Sequence, residues 1–475
     1  MPCPVAHRQQ SWTQTDTEAE NENQTGPILN PPASIPANRR GWGLMLNLTL
    51  DRLKFFQRLT RSTEVVWLEA RGQRMLVLNH PIAMRHVLQD AAQVYRKSPF
   101  YEPFRPVIGD SLLIAEGESW RSQRRGAAPA FAQAQLQALI PAIQSAGDYL
   151  VRRWAGETDT GKPVAIAPDL AAAVMSIALQ GLFGHQCQDS PALARASMIL
   201  LRETEFRMWS PMTLPQEWAL ALPPCKGALA LLRRKAQEII DARRRQTTAG
   251  NDLLARLIAA CDNGDRNARF LRDQVLFFMV ASFDTTIQAL SWTLMLMAQH
   301  PKVADAMAQE AEDFLSSNDL ARAETLLSDL PYTYAVLQES MRLYPPVWTI
   351  SRQATQDDLV PFPGHGRVRV PQGTTVMGCI HALHQHPGLW PHPERFDPSR
   401  FMGAQALAAK SAYFPFGGGP RICIGARLAE LESVLLLAML ARRFEFAPIN
   451  KRPVRPLAAV VLRPSRNLRL RIRQR

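Results

Sequence analysis

The sequence predicts a mainly α fold with small β-sheets, organised as a single large domain. Three observations carry that expectation. From Pro129 to His300, apolar residues recur at helical spacing between short polar or proline-bearing breaks. Strand-like runs are few and short, and no internal repeat or linker divides the chain. With 475 residues, 46% of them hydrophobic, there is ample material for a sizeable core.

Residues 1–38 are polar, lack the basic start and apolar run of a signal peptide, and read as a disordered extension ahead of a domain at 39–475. GWGLMLNLTLDRLKFF (41–56) reads as an amphipathic helix packed on the body, with a helix lying in a membrane interface as the alternative. TEVVWLEA (63–70) and RMLVLN (74–79) follow as strands. The helical stretch comprises AQAQLQALIPAIQSAGDYLVRRW, ALALLRRKAQEIIDARRRQ, NDLLARLIAACD and FLRDQVLFFMVASFDTTIQALSWTLMLMAQHP, whose proline, Pro301, ends the last helix. GRVRVPQGTTVMG (366–378) returns to strand. In the tail RPSRNLRLRIRQR (463–475), the alternation through Arg469, Leu470, Arg471, Ile472 and Arg473 predicts a charged edge strand.

Composition narrows the functional classes. No run of 18 apolar residues occurs, and VLFFMVASF (275–283) and SVLLLAMLA (433–441) suit buried helices, so no integral membrane anchor is expected. Six cysteines (Cys3, Cys187, Cys225, Cys261, Cys379, Cys423) show neither CxxC pairs nor a disulfide framework, as in a reducing cytoplasm. The net charge of +13 is spread among apolar helices and not gathered into a basic block with interleaved aromatics. An acidic protein partner fits it better than nucleic acid.

The most specific stretch is FPFGGGPRICIG (414–425), three glycines and a proline ahead of an arginine and a lone cysteine. Glycines let something flat or bulky approach the backbone closely. The helical IGARLAELESVLLLAMLARRF after Cys423 places the thiol at a helix N-terminus, where a thiolate is favoured as a ligand for a soft or redox-active metal. A buried structural cysteine is the competing explanation for any single thiol. Phe416, Gly419, Arg421, Cys423 and Gly425 together fit F-x-x-G-x-R-x-C-x-G, and here the chain resembles the cytochromes P-450, the haem-thiolate monooxygenases.

The resemblance spans roughly residues 40–475 and implies haem b with Cys423 as iron ligand, Phe416 packed near the sulfur, and Arg421 directed at a propionate. Trp120 and Arg124 in GESWRSQRRGAAPAF match the family's W-x-x-x-R helix and would reach the propionates, and Arg352 is counted with these haem-binding residues. Arg121 and Arg125 are candidates for docking a redox partner. LQESMRLYPP supplies Glu339 and Arg342 of the E-x-x-R pair; PERF and PSRF offer two third members, and F-x-P-x-R-F through Phe396, Pro398, Arg400 and Phe401 selects Arg400 over Arg395. ASFDTT gives Asp284 and Thr285 as the acid–alcohol pair for proton delivery, with Ser282 where the family usually has glycine.

His381, His384, His386 and His392 lie close together, but only His381 and His384 share helical spacing and no carboxylate motif accompanies them, so they are not read as a metal site. By family position the substrate pocket is lined by Phe100, Tyr101, Phe104, Met279, Val280, Phe283, Val347, Trp348 and Ile350, with residues near Leu457. The implied reaction inserts one oxygen atom from O2 into an apolar small molecule, a terpenoid, fatty acid or polyketide. Electrons come from NAD(P)H through a ferredoxin- or flavodoxin-type donor and its reductase. The alternatives are a peroxide-driven or non-redox haem-thiolate enzyme, or a haem-thiolate sensor or carrier.

Overall fold

The computed structural model describes residues 34–36, 51–62, 65–70, 73–158, 162–185, 189–210, 218, 220–246, 250–262, 268–316, 322–362, 366–449 and 453–475. Strands β1 (Ser34–Pro36), β2 (Val65–Ala70) and β3 (Gln73–Leu78) and helix α1 (Arg52–Ser62) open it. The expectation of disorder through residue 38 stops short at β1, which pairs in parallel with Trp67–Glu69; the rest of that segment, and residues 41–50, lie outside the described residues. Helix α1 buries Leu53, Phe56 and Leu59 against β2, Trp348 and Leu462, so its described part packs on the body.

The helical body follows as α2 (Gly117–Ala127), α3 (Ile140–Thr158), α4 (Ile166–Phe183), α5 (Ser190–Trp209), α6 (Pro223–Arg244), α7 (Leu253–Asp262), α8 (Ala268–Gln299), α9 (Pro301–Ser316), α10 (Pro331–Leu343) and α11 (Ala426–Arg443). Proline punctuates as its geometry demands: Pro223, Pro301 and Pro331 each sit in a first turn, where the missing N–H costs nothing. Gly184, left-handed at φ +59°, closes α4. Helix α8 is apolar on almost every side and accordingly runs through the middle of the main core. Helices α4 and α8 are long and apolar enough to cross a bilayer, yet both are mostly buried within the protein.

Strands β4 (Tyr95–Lys97), β6 (Ile350–Ala354) and β9 (Thr375–Gly378) complete a six-stranded sheet in the order β1-β2-β3-β9-β6-β4. The remaining strands make β7 (Asp358–Phe362) with β8 (Gly366–Val370), β11 (Pro456–Ala458) with β12 (Leu462–Pro464), and a three-stranded sheet β10-β13-β5 (Phe444–Pro448, Arg469–Gln474, Val164–Ala165). The tail strand β13 is therefore the middle strand, not an edge. Its two-residue pairing with Val164–Ala165 leaves most of one side open, and its arginines point outward while Leu470 and Ile472 are buried.

Candidate active site

The cysteine loop is held by its own backbone. Cys423 N–H donates to Phe416 O at 3.0 Å, Gly417 N–H to Phe414 O at 3.1 Å, and Ile422 N–H to Gly419 O at 3.0 Å. Gly417 and Gly419 take φ of +76° and +65°, a region costly for other residues. A Cβ on Gly419 would run into the backbone carbonyl of Leu88, in the π-helical turn His86–Asp90, and one on Gly418 would come within 3.7 Å of the Leu88 side chain. Leu88 thus packs close to Gly419, while Gly417 lines the cavity that Cys423 faces.

Helix α11 begins at Ala426 with Gly425 as N-cap, two positions after Cys423. Desolvation by the surrounding walls pushes the Cys423 thiol up, against the Gly425 N–H, Arg124 and Lys97, although the side chain is exposed to the cavity. Coordination to a metal would favour the thiolate.

Cys423 faces a cavity of about 380 Å³. Lys97, Arg124, Arg352 and Arg421 line the same cavity, and the acid paired among them is Glu116, which binds Arg421 and accepts Lys97 N–H at 2.7 Å. Arg421 also lies over the Trp120 ring at 4.5 Å and Lys97 over Tyr101 at 4.3 Å. Burial holds the Lys97 ammonium well below its ordinary range, and nearby Arg352 and Arg421 push the same way. Three guanidiniums with the Lys97 amine against one carboxylate make this a seat for a group with more than one negative charge. Lys97 and Glu116 escaped the sequence reading. Lys97 reaches the site because it is the register partner of Arg352 across β4 and β6, a pairing between residues distant in the chain.

Across the cavity, α8 presents Phe277, Phe278, Val280, Ala281, Ser282, Asp284, Thr285 and Thr286. Asp284 is buried, accepts from Gln288 Nε2 at 2.9 Å, and burial raises its carboxyl toward the neutral form. Thr285 Oγ1 donates to Ala281 O at 3.2 Å, and Ser282 Oγ contacts Met279 O at 3.4 Å. Phe100, Tyr101, Phe104, Val347, Trp348 and Ile350 also line the cavity, as do Ala459–Val461 beyond the exposed Leu457. Met279 and Phe283 do not. At about 100° per residue they fall on the face of α8 turned away from Ala281 and Thr285, and both are fully buried in the core.

On α10, Glu339 and Arg342 meet through two bonds of 2.7 and 2.8 Å, both side chains without exposure. Arg400 Nε stands 3.4 Å from Glu339 Oε1, whereas Arg395 contributes its backbone carbonyl to Arg342. Arg342 further donates to His384 O and Pro393 O, and Asp397 N–H to Glu339, so the group binds the chain ahead of the cysteine loop. His384 Nε2 accepts the Phe414 N–H at 2.9 Å, and burial holds His384 and His381 neutral, near 3 and 4. His384 thereby buttresses the loop. Among the described residues, no group of three or more His, Cys, Asp and Glu side chains is arranged to hold a metal ion.

The family model for cytochrome P-450 matches residues 32–471. Cytochrome P-450 132 of Mycobacterium tuberculosis is 33% identical over 462 residues, covering 94% of this chain and 98% of its own. Cyclooctat-9-en-7-ol 5-monooxygenase of Streptomyces melanosporofaciens is 30% identical, covering 90% and 94%, and human cytochrome P-450 4F8 is 29% identical, covering 83% and 80%. The crystal structure of the cytochrome P-450DA heme domain superposes with a TM-score of 0.81 at 24% identity, over 94% of this chain and 98% of that one.

Proposed function

The chain belongs to the cytochrome P-450 family of haem-thiolate monooxygenases, and from that premise we propose that it oxygenates an apolar small molecule of the terpenoid, fatty-acid or polyketide kind in the cytoplasm. The observation that carries this reading is a single sulfur, Cys423, opening onto a cavity whose walls are aromatic and aliphatic on one side and cationic on the other. The donor set fits haem: a soft thiol ligand for the iron, and three guanidiniums with the Lys97 amine for the two propionates. Bound there, the haem supplies activation of O2 with electrons that partner proteins bring from NAD(P)H.

This chain's residues do the rest. Cys423 holds the iron, and Lys97, Arg124, Arg352 and Arg421 with Trp120 hold the propionates. Burial raises the Asp284 carboxyl above its ordinary range, and Gln288 fixes that carboxyl by donating to it. Thr285 presents a hydroxyl whose proton is committed to Ala281 O, leaving its lone pairs to receive a water in the cavity. Ser282 adds a side chain where the family usually has glycine and narrows the space over α8. Phe100, Phe104, Val280, Val347 and Trp348 exclude water and orient the substrate. Exposed Arg121 and Arg125 on α2 offer cations to an acidic ferredoxin- or flavodoxin-type donor.

The test is optical titration of the purified holoprotein with fatty acids, terpenes and macrolides. A saturable low-to-high-spin change with one class supports the reading and names the class. No change with any of them, in a protein that retains thiolate-ligated haem, counts against an apolar small-molecule substrate.

A further inference from the structure

Arg52, Glu205, Trp209 and Arg463 converge from three elements, α1, the last turns of α5 and β12. Glu205 holds both guanidiniums, Arg463 Nη2 at 2.9 Å and Arg52 Nη1 at 3.5 Å. The three charged side chains are only 15–22% exposed, so two cations share one carboxylate in a setting that screens poorly. Asp284 lies within the influence of Arg463 but is biased toward neutrality, and Asp51 is taken up by Lys54 at the surface. One positive charge is left over.

Two donors in the cluster are also left over. Arg52 sends Nη1 to Ala458 O at 2.5 Å and lies over the Trp209 ring at 4.7 Å, yet its Nε is buried without an acceptor among the described residues. Trp209 Nε1 is buried and unpaired in the same way. Buried donors in folded proteins are almost always satisfied, so a missing partner points to a missing ligand. Trp209 is also a wall of the cavity that holds Cys423, stacked on Trp348 at 5.5 Å and edge-on to Phe100 at 4.8 Å.

We propose that this cluster anchors a carboxylate on the substrate, which makes the substrate an amphipathic acid with its apolar body in the cavity. A monoanion matches the single surplus charge, and a planar carboxylate has the lone pairs to accept from Arg52 Nε and Trp209 Nε1 together. The inference rests on the reading of the cavity as a site for apolar substrates, and it narrows that class to acids.

Isothermal calorimetry of the haem-loaded protein with dodecanoate, methyl dodecanoate and dodecanol tests it without requiring turnover. Dodecanoate should bind about tenfold more tightly than the ester or alcohol, the increment of one charge-assisted contact. Arg52→Gln and Trp209→Phe should each erase most of that preference, and Arg52→Gln should leave ester affinity within about twofold. Equal binding of acid and ester by the wild type overturns the anchor, and so does a preference that survives Arg52→Gln. Equal loss of both ligands in the variants also overturns it, since the residues would then only shape the cavity. A spin-state change with ester or alcohol alongside any of these results leaves the apolar-substrate reading standing while the anchor falls. Failure of all three to bind overturns the acid class.

Discussion

Thr286 Oγ1 lies 2.8 Å from Oε1 of the fully buried Glu432, joining α8 to α11. The same hydroxyl stands 3.2 Å from Ser282 O. Thr286 donates to the carboxylate oxygen, but burial dominates and raises the Glu432 carboxyl from 4.5 to about 8.

A carboxyl whose folded value is raised loses stability as pH rises, because the unfolded chain ionises first. Between about pH 4.5 and 8 the folded protein should lose stability on account of Glu432, with no further loss above that window. Glu432→Gln keeps an acceptor for Thr286 and should flatten this dependence. Denaturation midpoints of the two proteins across that range check it; parallel curves would show that Glu432 is already ionised.

The Glu339–Arg342 pair is without exposure, so truncating either residue strands a buried charge. Arg342→Ala or Glu339→Ala should cost about 3–5 kcal/mol and abolish haem retention. Arg400 has the longer contact and an additional bond to His392 O, so Arg400→Ala should cost less and retain part of the haem. Haem-to-protein ratios and unfolding midpoints give the ranking, and normal haem content in Glu339→Ala would contradict it.

Gly117 and Gly419 both have positive φ but different surroundings. Gly117→Ala has open space and should cost only the backbone term, about 1–2 kcal/mol. Gly419→Ala must displace the Leu88 backbone as well and should fail to hold haem. Equal behaviour of the two variants would show that the π-helical turn yields easily.

Thr285→Ala removes the cavity hydroxyl on α8 while leaving the apolar walls intact. NADPH consumption should continue with product per NADPH lowered at least about tenfold and hydrogen peroxide released instead. Unchanged coupling would exclude Thr285 from proton delivery.

What the sequence made legible was local. The three-residue spacing of Glu339 and Arg342 put them on one helical face, and F-x-P-x-R-F separated Arg400 from Arg395, whose side chains the structure uses differently. The alternation of the C-terminal tail predicted a half-buried strand but not its place in the sheet, because pairing with β5 and β10 joins segments far apart in the chain. The same limit hid Lys97 beside Arg352, Leu88 against Gly419 and Glu432 beneath Thr286. Met279 and Phe283 were misassigned for another reason. On a helix apolar all round, composition does not say which face meets the cavity.

The most direct test of the central assignment, Cys423 as the iron ligand, is the carbon-monoxide difference spectrum of the dithionite-reduced holoprotein, taken for the wild type and for Cys423→His. The wild type should show the red-shifted band of thiolate-ligated haem, and the variant should replace it with the band of imidazole-ligated haem. An imidazole-type band in the wild type, or an unchanged thiolate band after the cysteine is gone, would contradict the assignment.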